Sequence, residues 1–174
     1  MWFFILQCFY FMLPAYFANM APVIVKDVFK KLAIPVDFGK NIFGNNKTYR
    51  GLIFGILFGI IVAYLQFLLY NFAFFGKLSF ISYSNWLLVG FLFGFGALSG
   101  DMVESFVKRR LGIGPGERFI PWDQLDFVIG ALILVGIVVN ITWMKIFFIA
   151  VISIIGHILV NHIAYYLRIR NEKW

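Results

Sequence analysis

The sequence predicts an all-α integral membrane protein with five transmembrane helices. Three observations predict it. Apolar residues make up 62% of the 174 and charged residues 13%, against about a quarter charged in an ordinary soluble domain. The mean hydropathy is +0.89. The apolar residues gather into five runs that match, or nearly match, the ~20 residues of helix needed to cross a bilayer core. This composition excludes a disordered chain, a disulfide scaffold and a conventional soluble enzyme. The single Cys8 excludes an internal disulfide and a multi-Cys metal site. An open sheet cannot span lipid, and the runs do not alternate as barrel strands do, so the spans are helices.

The first run extends from Trp2 to about Ala21 and carries no charge. It lacks the basic start and small-residue cleavage site of a signal peptide, so a permanent helix is expected. The second runs from Gly51 to about Phe75, and the third from Asn85 to about Val107, apolar until Asp101. The fourth, from about Gln124 to Asn140, is the shortest, and the fifth runs from Lys145 to about Leu167. Gly51, Gly55 and Gly59 recur every four residues, as do Gly90 and Gly94, and Gly96 and Gly100. That spacing lets helix backbones approach closely, although Gly is common in membrane helices generally. Residues 1–174 read as one transmembrane domain with cytoplasmic loops at about 22–50 and 108–123.

Orientation follows from Lys and Arg. The first loop holds Lys26, Lys30, Lys31, Lys40, Lys47 and Arg50; the loop after the third helix holds Lys108, Arg109, Arg110 and Arg118; the tail holds Arg168, Arg170 and Lys173. Only Lys77 and Lys145 lie on the other side. The N-terminus is therefore expected outside and the C-terminus in the cytoplasm. The net charge of +7 sits between apolar runs, which favours membrane headgroups and phosphates over nucleic acid as partners.

The polar residues collect in clusters on the cytoplasmic side. The first is Gly44-Asn45-Asn46-Lys47-Thr48-Tyr49-Arg50-Gly51, just before the second helix. Asn45, Asn46, Lys47, Thr48 and Arg50 can all donate to phosphate oxygens, and a helix N-terminus adds free N–H groups. A solvated basic loop is the plainer alternative. The second cluster is Asp101, Glu104, Ser105 and Lys108, on one face of the third helix. Asp101 lies about 10 Å from Lys108 along that helix, at a depth where a carboxylate needs a partner, water or a metal. A structural Asp–Lys pair would also satisfy it. The third cluster joins the third and fourth helices through Arg109, Arg118, Asp123 and Asp126. Asp123 alone could be a helix cap. Two acids there, opposite Asp101, suit oxygen ligation of Mg²⁺, so Asp101, Asp123 and Asp126 are the expected metal ligands. In the fifth helix, His157 and Asn161 suit interhelical hydrogen bonding better than zinc, because the chain has only two His.

Carboxylates and basic groups converging at a membrane surface suit phosphoryl or nucleotidyl transfer to an amphipathic acceptor. No Ser–His triad, Walker loop or dinucleotide fingerprint is present. A small transporter or lipid-binding scaffold stays open, although polar residues confined to one face count against transport.

Gly100-Asp101-x-x-Glu104-Ser105-x-x-Lys108-Arg109, followed by Asp123-x-x-Asp126, resembles the signature of CTP-dependent phosphatidate cytidylyltransferases. Gly114-Pro115 and Pro121-Trp122 stand where the bacterial pattern has Lys-Asp and His-Gly-Gly. With Gly44–Gly51, Pro121-Trp122-Asp123-Gln124-Leu125-Asp126, and His157, Asn161, Ala164 and Tyr165, the chain is similar to the short archaeal branch, the CDP-archaeol synthases. The resemblance implies five helices and transfer of CMP from CTP to digeranylgeranylglyceryl phosphate, an anionic isoprenoid ether-lipid phosphate. The products are the CDP-activated lipid and pyrophosphate, and the cofactor is Mg²⁺. Asp101, Asp123 and Asp126 would hold the metal. Lys108, Arg109 and Arg118 would neutralise pyrophosphate or lipid phosphate. Asn46, Lys47, Thr48 and Arg50 would bind nucleotide or phosphate. Glu104 and Ser105 would orient these groups, with Glu104 as a partner of Lys108. A CTP-dependent polyprenol kinase is the alternative, and it would release CDP instead of pyrophosphate.

Overall fold

The computed structural model describes residues 1–166 apart from 41, 45, 115 and 116 and the side chain of Ala164. Among them are six α-helices: α1 (Trp2–Ile24), α2 (Tyr49–Leu69), α3 (Ala73–Leu78), α4 (Trp86–Arg110), α5 (Trp122–Val135) and α6 (Trp143–Tyr166). A 3₁₀ turn, Lys30–Leu32, interrupts the loop between α1 and α2. Four helices, α1, α2, α4 and α6, are long and apolar enough to cross a membrane.

Two sequence expectations are corrected in their bounds. The second run stops as a helix at Leu69, and a separate six-residue helix, α3, takes up Ala73–Leu78. Hydropathy does not register the turn at Tyr70–Phe72, because its one strongly polar residue, Asn71, is averaged with the apolar residues on either side. The fourth helix starts at Trp122, one residue after Pro121, and ends at Val135 before Gly136, not at Asn140. Proline fits a helix start and glycine its end. At 14 residues, α5 is about 21 Å long, shorter than a ~30 Å hydrocarbon core.

The helix α4 is central, packed against α2 on one side and α5 on the other. Both crossings are made by glycine. A methyl group at Gly90 would meet the Ile60 Cα at 2.6 Å, and one at Gly59 would meet the Gly90 carbonyl at 2.8 Å. On the other side, a methyl at Gly96 would meet the Gly130 carbonyl at 2.7 Å, and one at Gly100 would overlap the Asp126 carbonyl. Only residues without a side chain allow backbones this close. The expected close approach at these spacings is therefore present.

The apolar core lies where α1 covers this layer: Cys8, Phe11, Met12, Phe93, Val128 and Val135 are buried, with the Phe11 and Phe93 rings edge to face at 5.1 Å. Gln66 is buried too and donates to the Tyr10 carbonyl at 2.6 Å. The peripheral α6 is tied to α1 by a 2.7 Å hydrogen bond between the Tyr16 and Ser153 hydroxyls. The loop between α1 and α2 and the loop between α4 and α5 meet at one end of the bundle, where the polar residues gather.

Candidate active site

The α1–α2 loop folds back on itself before α2 begins. The Val36 N–H donates to the Lys47 carbonyl at 2.8 Å, and the Tyr49 N–H donates to the Ile34 carbonyl at 3.0 Å. Asp37 holds the intervening turn: Oδ1 accepts from Gly39 (3.0 Å), and Oδ2 accepts from Ile42 (2.8 Å) and Phe43 (3.1 Å). The Phe43 amide, helped by Gly39 and Ile42, holds this carboxyl below the usual carboxylate range against the opposing effect of burial. Thr48 caps α2 by accepting from the Gly51 N–H at 3.2 Å. Arg50 is buried and donates to the Val28 carbonyl at 3.1 Å, so it braces the loop. Pro22, Asn46, Lys47, Thr48 and Leu98 line a small recess of mixed polarity that reaches Asp101.

From that recess Lys47 reaches across to α4, where Nζ donates to Asp101 Oδ2 at 2.5 Å. Asp101 and Glu104 are one helical turn apart. The Gly100 crossing brings the first turns of α5 beside them. Carboxylate oxygens of Asp101, Glu104 and Asp126 all lie within 4.8 Å of one another. Asp126 Oδ1 also accepts from the Phe127 N–H at 2.6 Å.

Asp123 stands beside this trio, against Glu104 and Lys108. Its Oδ2 accepts from the Phe119 N–H at 2.6 Å, and its Oδ1 accepts from Lys108 at 2.8 Å. Lys108 is 7% exposed and also donates to the Glu117 carbonyl at 2.5 Å, with Glu104 Oε1 at 3.5 Å. That last atom is buried and has no hydrogen-bond partner among the described residues. Ser105 is buried in the same stretch of α4. Arg109 donates to the Ile113 carbonyl and lies beside Gly44, so it bridges the two loops. Arg118 is exposed in the second loop. Asn45 lies outside the described residues. Along α6, the Asn161 amide and His157 Nδ1 are 3.2 Å apart within one helix.

The structure thus brings together Lys47, Asp101, Glu104, Lys108, Asp123 and Asp126. It groups the acids differently from the sequence expectation. Glu104 joins Asp101 and Asp126, while Asp123 positions Lys108. Three of the four carboxylates, those of Asp101, Glu104 and Asp123, contact the two ammonium groups; with Asp126 the cluster carries a formal charge of −2 when all are ionised. Three convergent carboxylates, a buried carboxylate oxygen with no hydrogen bond and that charge fit a hard divalent cation with oxygen ligands. Asp37 escaped the sequence reading, although Asp37-x-Gly39 in an aperiodic loop is the pattern of an Asx turn.

Residues 1–174 match the family described as CarS-like CDP-archaeol synthase. A curated CDP-archaeol synthase from Methanocaldococcus jannaschii is 41% identical over 172 residues, covering 95% of this chain and 94% of its own. One from Saccharolobus islandicus (strain Y.N.15.51) is 40% identical over 169 residues, covering 93% and 92%. A solved structure described as an intramembrane enzyme for archaeal membrane lipids biosynthesis superposes with a TM-score of 0.72 at 31% identity, over 87% of this chain and 90% of that one.

Proposed function

The chain belongs to the CDP-archaeol synthase family, and we propose that it transfers the CMP moiety of CTP to an archaeal ether-lipid phosphate, digeranylgeranylglyceryl phosphate. The observation that carries the reading is the convergence of Asp101, Glu104 and Asp126 between Lys47 and Lys108, at the end of a membrane-embedded helix bundle.

In the transfer, an oxygen of the lipid phosphate forms a bond to the α-phosphorus of CTP. The bond from that phosphorus to the β-phosphate oxygen breaks, and its electron pair leaves with pyrophosphate. A phosphate monoester is largely ionised at neutral pH, so no general base is required. Asp101, Glu104 and Asp126 would hold Mg²⁺. When bound, that ion supplies charge neutralisation on the nucleotide phosphates. Lys47, with Asn45, Asn46 and Thr48, binds the nucleotide phosphates from the loop side. Lys108 is held by Asp123 and Glu117 where charge develops on phosphate, and Arg109 and Arg118 add cationic donors around it. Arg50 and Ser105 keep the loop and the helix face in place.

The protein is a multi-pass membrane protein. We place it in the cell membrane, with five crossings and its N-terminus outside. In this arrangement α5 and the residues after it make the fourth crossing, and the site faces the cytoplasm. The one-sided distribution of Lys and Arg supports this orientation.

Product analysis tests the function. Purified protein in detergent receives Mg²⁺, CTP labelled in the cytidine, and either the isoprenoid ether-lipid phosphate or a diacyl phosphatidate. The reading expects label in the lipid fraction with an equal amount of pyrophosphate. With a polyprenol supplied as acceptor instead, label recovered as CDP alongside a phosphorylated, unlabelled lipid would point to a lipid kinase. No transfer to either lipid would contradict the enzyme assignment.

A further inference from the structure

We propose that the segment Lys26–Ile34, between α1 and α2, is an interfacial anchor: it lies on the membrane surface at the site's end of the bundle and binds the anionic headgroups of that leaflet. Every residue from Lys26 to Ile34 is exposed. Four of them are large and apolar, Val28, Phe29, Leu32 and Ile34, with Phe29 58% and Ile34 49% exposed. Interleaved with them stand Lys26, Lys30 and Lys31 against one acid, Asp27. Contiguous apolar surface that a chain leaves uncovered marks a contact with a membrane or a partner.

Three contacts fix the height of the segment. The Arg50 guanidinium donates to the Val28 carbonyl at 3.1 Å. The Tyr49 N–H donates to the Ile34 carbonyl at 3.0 Å. The Phe29 ring stacks on Phe54, with centroids 5.0 Å apart. All three partners belong to the first two turns of α2. With 21 residues, α2 is about 31 Å long, which matches a ~30 Å hydrocarbon core with no length to spare. Its first turns therefore lie where acyl chains meet headgroups, and so does the segment bound to them. From Tyr49 to Phe54 is about 7–8 Å of helix, within the ~5–10 Å to which interfacial segments bury their apolar side chains.

That depth selects lipid as the occupant. A water-soluble partner would have to displace acyl chains to reach Phe29 beside Phe54. The lysines complement an anionic leaflet, and their stems can lie along the apolar residues while the ammonium groups stay among headgroups. Positive charge alone orients a chain across the membrane. The apolar residues between these lysines add insertion, which a solvated basic loop lacks. Tyr49 and Arg50 directly follow Lys47, so the anchor braces the recess loop from the membrane side.

The anchor does not depend on the proposed transfer, and its test needs no turnover. Protein carrying Cys8→Ala and Leu32→Cys, labelled with the environment-sensitive dye nitrobenzoxadiazole, is placed in nanodiscs of phosphatidylcholine and phosphatidylglycerol. Emission from the dye should be blue-shifted. A lipid spin-labelled near its headgroup should quench it more than one labelled at the chain end. Spin-labelled phosphatidylglycerol should quench about twofold or more better than spin-labelled phosphatidylcholine. That preference should fall with added salt and disappear when Lys26→Gln, Lys30→Gln and Lys31→Gln are combined. Ile34→Cys should report the same. Ile137→Cys, exposed beyond the far end of α5, should show no preference between the two lipids. Water-like emission at both loop positions without quenching would overturn the anchor and leave the surface to a water-soluble partner. Quenching with no headgroup preference, or a preference unchanged by the three lysine substitutions, would overturn the recognition of anionic lipid.

Discussion

Gly100 lies against the Asp126 carbonyl so closely that a methyl group on Gly100 would overlap it. The next residue along α4 is Asp101, so this one contact sets the level at which acids from two helices meet. Gly100→Ala pushes α5 away from α4. Overpacking of this kind costs about 1–3 kcal/mol. The variant should unfold at lower temperature in detergent and lose most of its CMP transfer. A variant with unchanged unfolding and turnover would show that the crossing does not position the site.

Lys47 and Asp101 join segments 54 positions apart in sequence. Lys47→Met should lower kcat about 10²- to 10³-fold, as loss of an electrostatic donor at a transferring phosphate does. Lys47→Arg should restore only part, because a planar guanidinium is not a point charge. Steady-state kinetics against CTP checks both. Wild-type rates in Lys47→Met would remove this residue from the site.

Lys108 is buried among Asp123, Glu104 and the Glu117 carbonyl. Lys108→Met strands two carboxylates and should cost about 3–5 kcal/mol. Adding Asp123→Asn removes one stranded charge. The double variant should regain part of the stability, with a coupling of about 0.5–3 kcal/mol, and none of the activity. Thermal unfolding of the four proteins in one detergent measures this. Additive losses would mean that the pair is not coupled.

Asp37 carries the pH prediction. Its folded-state carboxyl titrates below its unfolded value, because the Phe43, Gly39 and Ile42 amides favour the charged form. Its contribution is therefore present above the unfolded pKa, about 4, and is lost as pH falls through the lower folded value. Protease cleavage of the α1–α2 loop should rise in that acid range. Asp37→Asn should already show the raised cleavage at neutral pH, with little further change on acidification. It should also raise the KM for CTP more than it lowers kcat, since the turn leads into Lys47. Identical cleavage profiles for the two proteins would rule out this role.

Much of this was legible in the sequence. The apolar runs located α1, α2, α4 and α6 to within a few residues at most ends, and the four-residue glycine spacing marked the two tight crossings. The break after Leu69 was hidden because Asn71 is a lone strongly polar residue in a run that is otherwise largely apolar through Phe75. At the site, i, i+3 spacing showed which acids share a helix face, but not which face opposes which. Asp123 and Asp126 share a face by spacing. The first-turn position of Asp123 nevertheless lets it fold back onto the Phe119 N–H and Lys108. Glu104 then faces Asp126 instead, because Gly100 brings α5 up against that side of α4. Long-range pairs such as Lys47–Asp101 have no local signature in one sequence.

The central claim is that Asp101, Glu104 and Asp126 form the cation-binding centre of the transfer. Electron paramagnetic resonance titration of Mn²⁺ into the detergent-purified protein tests it most directly, since it needs no turnover. The account predicts saturable binding in the wild type, reduced at least tenfold in affinity in Asp101→Asn, Glu104→Gln and Asp126→Asn, and retained in Asp123→Asn. Binding unaffected by Glu104→Gln and Asp126→Asn, or lost in Asp123→Asn alone, would contradict it.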